Sequence, residues 1–171
     1  MTELLDICRE YTTAVRIKNT NVNSSGQRQM ELSAYFTHCN LQPGHLALAL
    51  SLAMTQAYKG GNFINAAAFA RRLLELPDLV GQNDIRSRAQ LVIRNSEQKA
   101  RNEHALNYDE RNPFDIECTD LQPIYRGSPS ASCPYCRSVH STKMKGSLCV
   151  TCNLAVIGVE TLGLVSQSHS K

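Results

Sequence analysis

The sequence contains no tryptophan, and its six tyrosines and four phenylalanines bring aromatic residues to only 6% of 171 positions. So few rings leave little for stacking bases, which argues against a nucleic-acid reader. Charge of one sign is also scarce: 18 Lys and Arg against 15 Asp and Glu leave a net charge of +3, and Arg71-Arg72 is the only adjacent basic pair. Scattered charge of this kind predicts a solvated surface, not a basic stripe. No apolar run approaches the roughly 20 residues of a membrane span; the longest candidate, Leu46 to Met54, is interrupted by Ser51. The opening MTELLDICREYTTAV has acidic residues where a secretory leader needs positive charge. The expectation is a chain that faces the cytosol.

What is present points to a folded protein. Hydrophobic residues make up 42% of the chain, above what a disordered segment carries. The length suits one ordinary domain, or a helical domain with a small appendage. Seven cysteines, an odd number, with no leader argue against a disulfide framework. Cys8, Cys39 and Cys118 stand alone in the sequence, and each is expected to be a small buried apolar residue.

Up to about residue 106 the pattern is helical. Leu4, Cys8, Tyr11 and Val15 recur at steps of three and four, predicting an apolar inward face on a first helix. Asn19 to Gly26 reads as a polar loop. A second helix is expected from about Arg28 to His38, with Leu32, Tyr35 and Phe36 on one side. Asn40 to Gly44, with Pro43, should break it. Leu46, Ala49, Leu50, Ala53 and Ala57 then form one stripe, and Phe63, Ala66, Ala67, Ala70, Leu73 and Leu74 an opposing one. Lys59-Gly60-Gly61-Asn62 closes the first of these helices and Pro77 the second. Two such faces should pack as an antiparallel hairpin, like the unit of an α-solenoid, although no strict period is found. A further helix is expected from about Asn83 to His104, with Ile85, Ala89, Val92 and Ile93 inward.

The character changes near Tyr108. Prolines enter, Asn112-Pro113 reads as a break, and Ile116 to Tyr125 suits a short strand or two. From Cys149 the pattern is strand, turn, strand, with Val156 to Val159 and Leu162 to Val165 flanking a turn at Glu160-Thr161. The fold class expected is therefore α+β: mainly α-helical solenoid-like hairpins over 1–107, then a small β-rich module over 108–171.

Within that module lie Cys133-Pro-Tyr-Cys136 and Cys149-Val-Thr-Cys152, two CxxC pairs twelve residues apart. A CxxC in a tight turn aims two thiolates at one ion, and a second supplies the remaining corners of a tetrahedron. Cys133, Cys136, Cys149 and Cys152 are thus the expected ligands of a structural Zn2+. Four thiolates leave no position open for substrate, which points to structure and not catalysis. The module has few large apolar side chains and needs such a staple, worth on the order of 10 kcal/mol in small domains. Two disulfides would need an oxidising compartment. A rubredoxin-like iron site would need other features of electron transfer, and a thioredoxin-type CxxC a helix after Cys136. His140 could replace one cysteine as a ligand, but with four thiolates present it is expected to be exposed. With Arg137, Lys143 and Lys145 nearby, the alternative function is a zinc-ribbon nucleic-acid-binding module.

No active site is legible. His38-Cys39 are helix neighbours that point about 100° apart, and Asp109-Glu110 and Asp115 have no base in view. Gly60-Gly61 lacks the Lys-Ser/Thr of a phosphate loop. No enzyme is expected and no catalytic residue is named.

Three stretches, AYFTHCNLQPGHLALAL from Ala34, NFINAAAFARRLLEL from Asn62 and NYDERNPFDIECTDLQPIYRG from Asn107, together resemble the C-terminal domain of the coatomer alpha subunit. Cys8-Arg9-Glu10-Tyr11 fits the start of that region. The most specific blocks are Asn112-Pro113-Phe114-Asp115 and Pro123-Ile124-Tyr125-Arg126-Gly127. The resemblance implies a non-enzymatic part of the coat on vesicles moving from the Golgi to the endoplasmic reticulum and within the Golgi. It implies binding to the coatomer epsilon subunit, a helical-repeat protein, and to other coatomer subunits. It places the chain in the cytoplasm and, through the coat, on the cytosolic face of Golgi membranes. The family's propellers, which recognise dilysine cargo tails, are not among these residues, so cargo recognition is not carried over. The expectation is an excised fragment or a truncated relative.

Overall fold

Alanine dominates the place where the helices meet. Helices α3 (Pro43–Lys59) and α4 (Phe63–Leu74) are joined by a three-residue turn and pack antiparallel, with α5 (Asn83–Lys99) against α4. Ala53 and Ala57 of α3, Ala66 and Ala70 of α4 and Ala89 of α5 are all buried in one cluster. Their short side chains let the backbones approach, and Leu50, Met54, Phe69 and Leu73 fill the space between. Pro43 starts α3, where the first turn has no use for its missing N–H. Gly61 takes the left-handed conformation (φ +75°) that reverses the chain after α3.

The computed structural model describes residues 2–77 and 83–160. It divides into two compact units: Ala14–Tyr108, and a second unit that joins the first thirteen residues to those from Asp109 onward. Among the described residues there are five α-helices followed by two antiparallel strand pairs, an α+β arrangement as expected. No described helix is long and apolar enough to cross a membrane.

The first helix departs from the pattern. Helix α1 runs Thr2–Val22, so the first half of the expected loop from Asn19 is helical and only residues 23–25 separate it from the next helix. Polar residues hold it: the Thr20 hydroxyl donates to the Arg16 carbonyl (2.9 Å), and buried Asn21 donates to the Gln29 carbonyl (2.7 Å). Most of the expected inward face points outward, with only Tyr11 half-buried. Leu4 is 65% exposed and Val15 56%, Cys8 is exposed too, and Thr13, Ala14 and Ile17 are buried instead. Periodicity finds an apolar stripe but not the side on which a neighbour lies. Cys39 and Cys118 are buried as expected, but Cys8 is not.

Helix α2 (Gly26–Phe36) is buried over a continuous run from Met30 to Tyr35, more than one face of it. The Tyr35 hydroxyl donates to the Asn107 carbonyl (2.6 Å), and the Asn107 N–H to the Glu31 carboxylate (2.9 Å). Helix α5 stops at Lys99, short of the expected His104, because Ala100 turns to positive φ. The segment that follows is clasped by the α3–α4 turn. Asn62, wholly buried, donates to the His104 carbonyl (3.0 Å) and accepts from its N–H (2.9 Å). The Phe63 N–H donates to the Arg101 carbonyl (2.9 Å).

In the second unit β1 (Phe114–Ile116) pairs with β2 (Pro123–Tyr125), opposing Phe114 to Tyr125 and Asp115 to Ile124. The two blocks 112–115 and 123–127 are thus the two sides of one hairpin, with the Phe114 and Tyr125 rings edge to face at 5.6 Å. Strand β3 (Ser130–Ser132) pairs with β4 (Val139–Ser141), and a single 3-10 turn, Thr142–Met144, follows. The strand expected at Val156 to Val159 is reduced to one bridge between Leu148 and Val156. Its expected partner, Leu162 to Val165, lies outside the described residues.

Candidate metal centre

Each CxxC is a turn of the same construction. Cys133 follows β3, and its N–H donates to the Ser138 carbonyl (3.0 Å), while the Arg137 N–H donates back to the Cys133 carbonyl (3.0 Å). Cys149 repeats this with the Ala155 carbonyl (2.9 Å) and the Asn153 N–H (2.9 Å). In both turns the residue after the second cysteine is left-handed, Arg137 at φ 62° and Asn153 at φ 54°. That conformation costs an L-residue with a side chain roughly 1–3 kcal/mol. It closes each loop and leaves both sulfurs on the inside. No helix follows Cys136, so the thioredoxin setting is not present; β4 does.

The turns bring four sulfurs together. The ligand atoms of Cys133, Cys136, Cys149 and Cys152 all lie within 4.8 Å of one another. Cys133 Sγ is 3.7 Å from Cys152 Sγ, and Cys136 Sγ is 3.6 Å from Cys149 Sγ. Sulfurs about 2.3 Å from a central ion stand about 3.8 Å apart along a tetrahedral edge. The observed separations match that edge and are far beyond a disulfide bond of about 2.05 Å. All four cysteines are free. The group can therefore hold a metal ion, and the donor set suits a soft or borderline cation. Three of the four are buried and Cys152 is half-buried, among Ala131, Ala155 and Ile157.

Burial pushes the Cys133 and Cys136 thiols up, despite the donors around them. Burial also opposes a thiolate at Cys149. There the Ser138 hydroxyl, the Cys152 and Thr151 amides and His140 outweigh it and pull the group down to about 5. A cation entering this cluster displaces the remaining thiol protons.

His140, expected to be exposed, is wholly buried. Its Nε2 lies 2.9 Å from Ser138 Oγ and 3.6 Å from Cys149 Sγ, which makes it a neighbour of the ligands and not one of them. Its Nδ1 is 3.4 Å from Glu117 Oε1, too poorly aligned for a hydrogen bond. Burial would push the Glu117 carboxyl up, but N–H donors from Asp120 and Thr119, both 2.7 Å away, hold it below the ordinary range. The sequence carried no sign of Glu117, which is brought in by the chain reversal after β1.

The same unit includes the start of α1. Arg9 Nη1 donates to the Cys136 carbonyl (3.2 Å) and to Asp6 (2.7 Å), and Thr13 Oγ1 lies 3.8 Å from Cys118 Sγ. Arg137 stands 3.8 Å from Asp6. The carbonyl that accepts from the Arg9 guanidinium belongs to one of the four clustered cysteines, so the helix start braces the first turn.

The family model described as the C-terminus of the coatomer (COPI) alpha subunit matches residues 1–171. The chain is 42% identical over 165 residues to coatomer subunit alpha-1 of Arabidopsis thaliana, covering 95% of this chain and 13% of that protein. It is 43% identical over 175 residues to coatomer subunit alpha of Dictyostelium discoideum, covering 95% and 14%. With coatomer subunit alpha of Saccharomyces cerevisiae the identity is 28% over 165 residues, again 95% and 14%. The chain thus spans about one-seventh of the length of the relatives it matches. On the match across all its residues, the chain belongs to the family formed by the C-terminal part of the coatomer alpha subunit.

Proposed function

We propose that this chain is a non-enzymatic scaffold of a vesicle coat, a coatomer alpha C-terminal domain that binds the coatomer epsilon subunit in Golgi-to-ER and intra-Golgi transport. The observation that carries this reading is the family match over the whole chain. A protein partner is also in keeping with α1, where Leu4 at 65% and Ile7 at 49% exposed leave apolar surface open on one helix face. A helical-repeat partner would cover it. The chain would work in the cytoplasm, reaching the cytosolic face of Golgi membranes through the coat alone. Its helical part, residues 1–107, would serve as the scaffold, and residues 108–171 as a module stapled by Zn2+ on Cys133, Cys136, Cys149 and Cys152.

Capture of the matching epsilon subunit by the purified chain tests the partner. The expected outcome is a stable complex that Leu4→Asp with Ile7→Asp weakens; failure of the unaltered chain to capture it under mild conditions refutes the partner. DNA and RNA serve as the control. Salt-dependent binding to either would favour the nucleic-acid reading instead.

A further inference from the structure

The start of α1 is attached to its unit by polar contacts more than by burial. No side chain from Glu3 to Thr12 is buried, so apolar packing supplies little of the adhesion. Asp6, Arg9 and Thr13 follow one another at steps of three and four and so share one face of the helix. That face meets the elements that carry the cysteines. Arg9 Nη1 donates to the Cys136 carbonyl at 3.2 Å, and its guanidinium is held by Asp6 at 2.7 Å and Glu10 at 3.0 Å. Asp6 also faces Arg137 at 3.8 Å. One turn on, Thr13 Oγ1 stands 3.8 Å from Cys118 Sγ, and the Cys118 N–H donates to the Val139 carbonyl of β4.

Cys136 and Arg137 form the corner of the first cysteine turn, which closes through the Arg137 N–H on the Cys133 carbonyl with Arg137 left-handed at φ 62°. The Cys136 carbonyl is a fixed acceptor for Arg9 only while that turn is shut. An ion on the four sulfurs, which lie within 4.8 Å of one another, keeps it shut. Leu4 and Ile7, 65% and 49% exposed, belong to the same stretch of helix and add no buried surface to hold it. We propose that the metal centre holds the start of α1 through Arg9, so that occupancy by the ion decides whether the surface of Leu4 and Ile7 is presented to a partner. When the ion leaves, the turn opens, the carbonyl moves off the guanidinium, and the first turns of α1 come free as far as Thr13, as helix ends without tertiary support do. The inference rests on the reading of the four cysteines as a metal site and of Leu4 and Ile7 as partner surface.

The test is amide hydrogen exchange on the full chain, loaded with zinc and then stripped by a strong chelator, with metal content measured. A hydrogen bond from a charged donor moves a local equilibrium about 10- to 100-fold. The amides of Cys8 to Thr12 are therefore expected to exchange about 10- to 100-fold faster after stripping. That of buried Asn21, on the same helix, should not change. Arg9→Met removes the donor and keeps helix propensity. Loaded with zinc, this variant should show the same acceleration with its metal retained, and should bind the matching epsilon subunit about 10- to 100-fold more weakly. Unchanged exchange at Cys8 to Thr12 after complete metal removal overturns the proposal. So does a loaded Arg9→Met chain that exchanges like the unaltered one. Should Arg9→Met fail to fold, stripping the unaltered chain decides alone. A loaded chain that does not capture the epsilon subunit, yet loses protection in α1 when stripped, refutes the partner and leaves the coupling. A chain that takes up no zinc refutes the metal site and the coupling together.

Discussion

Removing the metal should unfold one part of the chain and leave the other. The apolar support of the cysteine cluster is slight: Ile157, Ala131 and Ala155 are its buried members apart from the cysteines, with Tyr135 and Met144 packed at its edge. Full burial of an isoleucine contributes about 1.5–3 kcal/mol, and each alanine less. A structural zinc contributes on the order of 10 kcal/mol. An ion held by the four cysteines would therefore be the largest single term in this region, and without it the two turns would lose what opposes the strain at Arg137 and Asn153. Proton competition works in the same direction, because the Cys133 and Cys136 thiols are pushed up by burial and hold their protons once the cation has gone. The assay is amide hydrogen exchange on the full chain, before and after a strong chelator, with metal content measured alongside. One zinc per chain is expected. On its removal the N–H groups of Cys133, Arg137, Cys149 and Asn153, which close the turns, should exchange freely. Those of α3 and α4, whose core holds Leu50, Phe69 and Leu73, should stay protected. Unchanged protection at the turns after complete metal removal would refute the reasoning, as would a chain purified without bound metal.

Three further outcomes follow from individual contacts. Phe69→Ala, in the middle of the α3–α4–α5 core, should cost about 3–5 kcal/mol in denaturant unfolding. Asn62→Ala strands the His104 N–H and carbonyl and should cost about 1–3 kcal/mol, with exchange at His104 speeding before that of α3. Glu117 is held below its ordinary value of 4.5, so its contribution is fully present above that pH and is lost as pH falls through its folded value. The stability gap between the unaltered chain and Glu117→Gln should therefore narrow as pH drops below 4.5, as read from denaturant midpoints; a gap constant with pH would contradict this.

Local pattern carried much of the architecture. The α3–α4 hairpin was legible because alanines and leucines at helical spacing can be buried only against another such face, and Gly60-Gly61 can only be a turn. The two CxxC pairs were legible because chain connectivity alone keeps each pair of thiols together, and their spacing allows the pairs to meet. Membership of the family was written in short blocks whose two most specific members turned out to be paired strands.

Tertiary structure decided what depends on neighbours distant in sequence. The stripe of Leu4, Cys8 and Val15 is real, yet its exposure follows from what packs on the opposite side of α1, which no local period records. Asn21 has the composition of a loop residue, and its buried side chain finds its partners in the Gln29 carbonyl of α2 and the Gln56 side-chain amide of α3. His140 lies among polar residues, where a histidine is usually exposed, and its burial follows from the approach of Glu117 and Cys149, which enclose the ring beside its near neighbour Ser138. Periodicity and spacing fix what the chain does within a few residues. Which face is covered, and which polar group finds a partner, is a property of the packed whole.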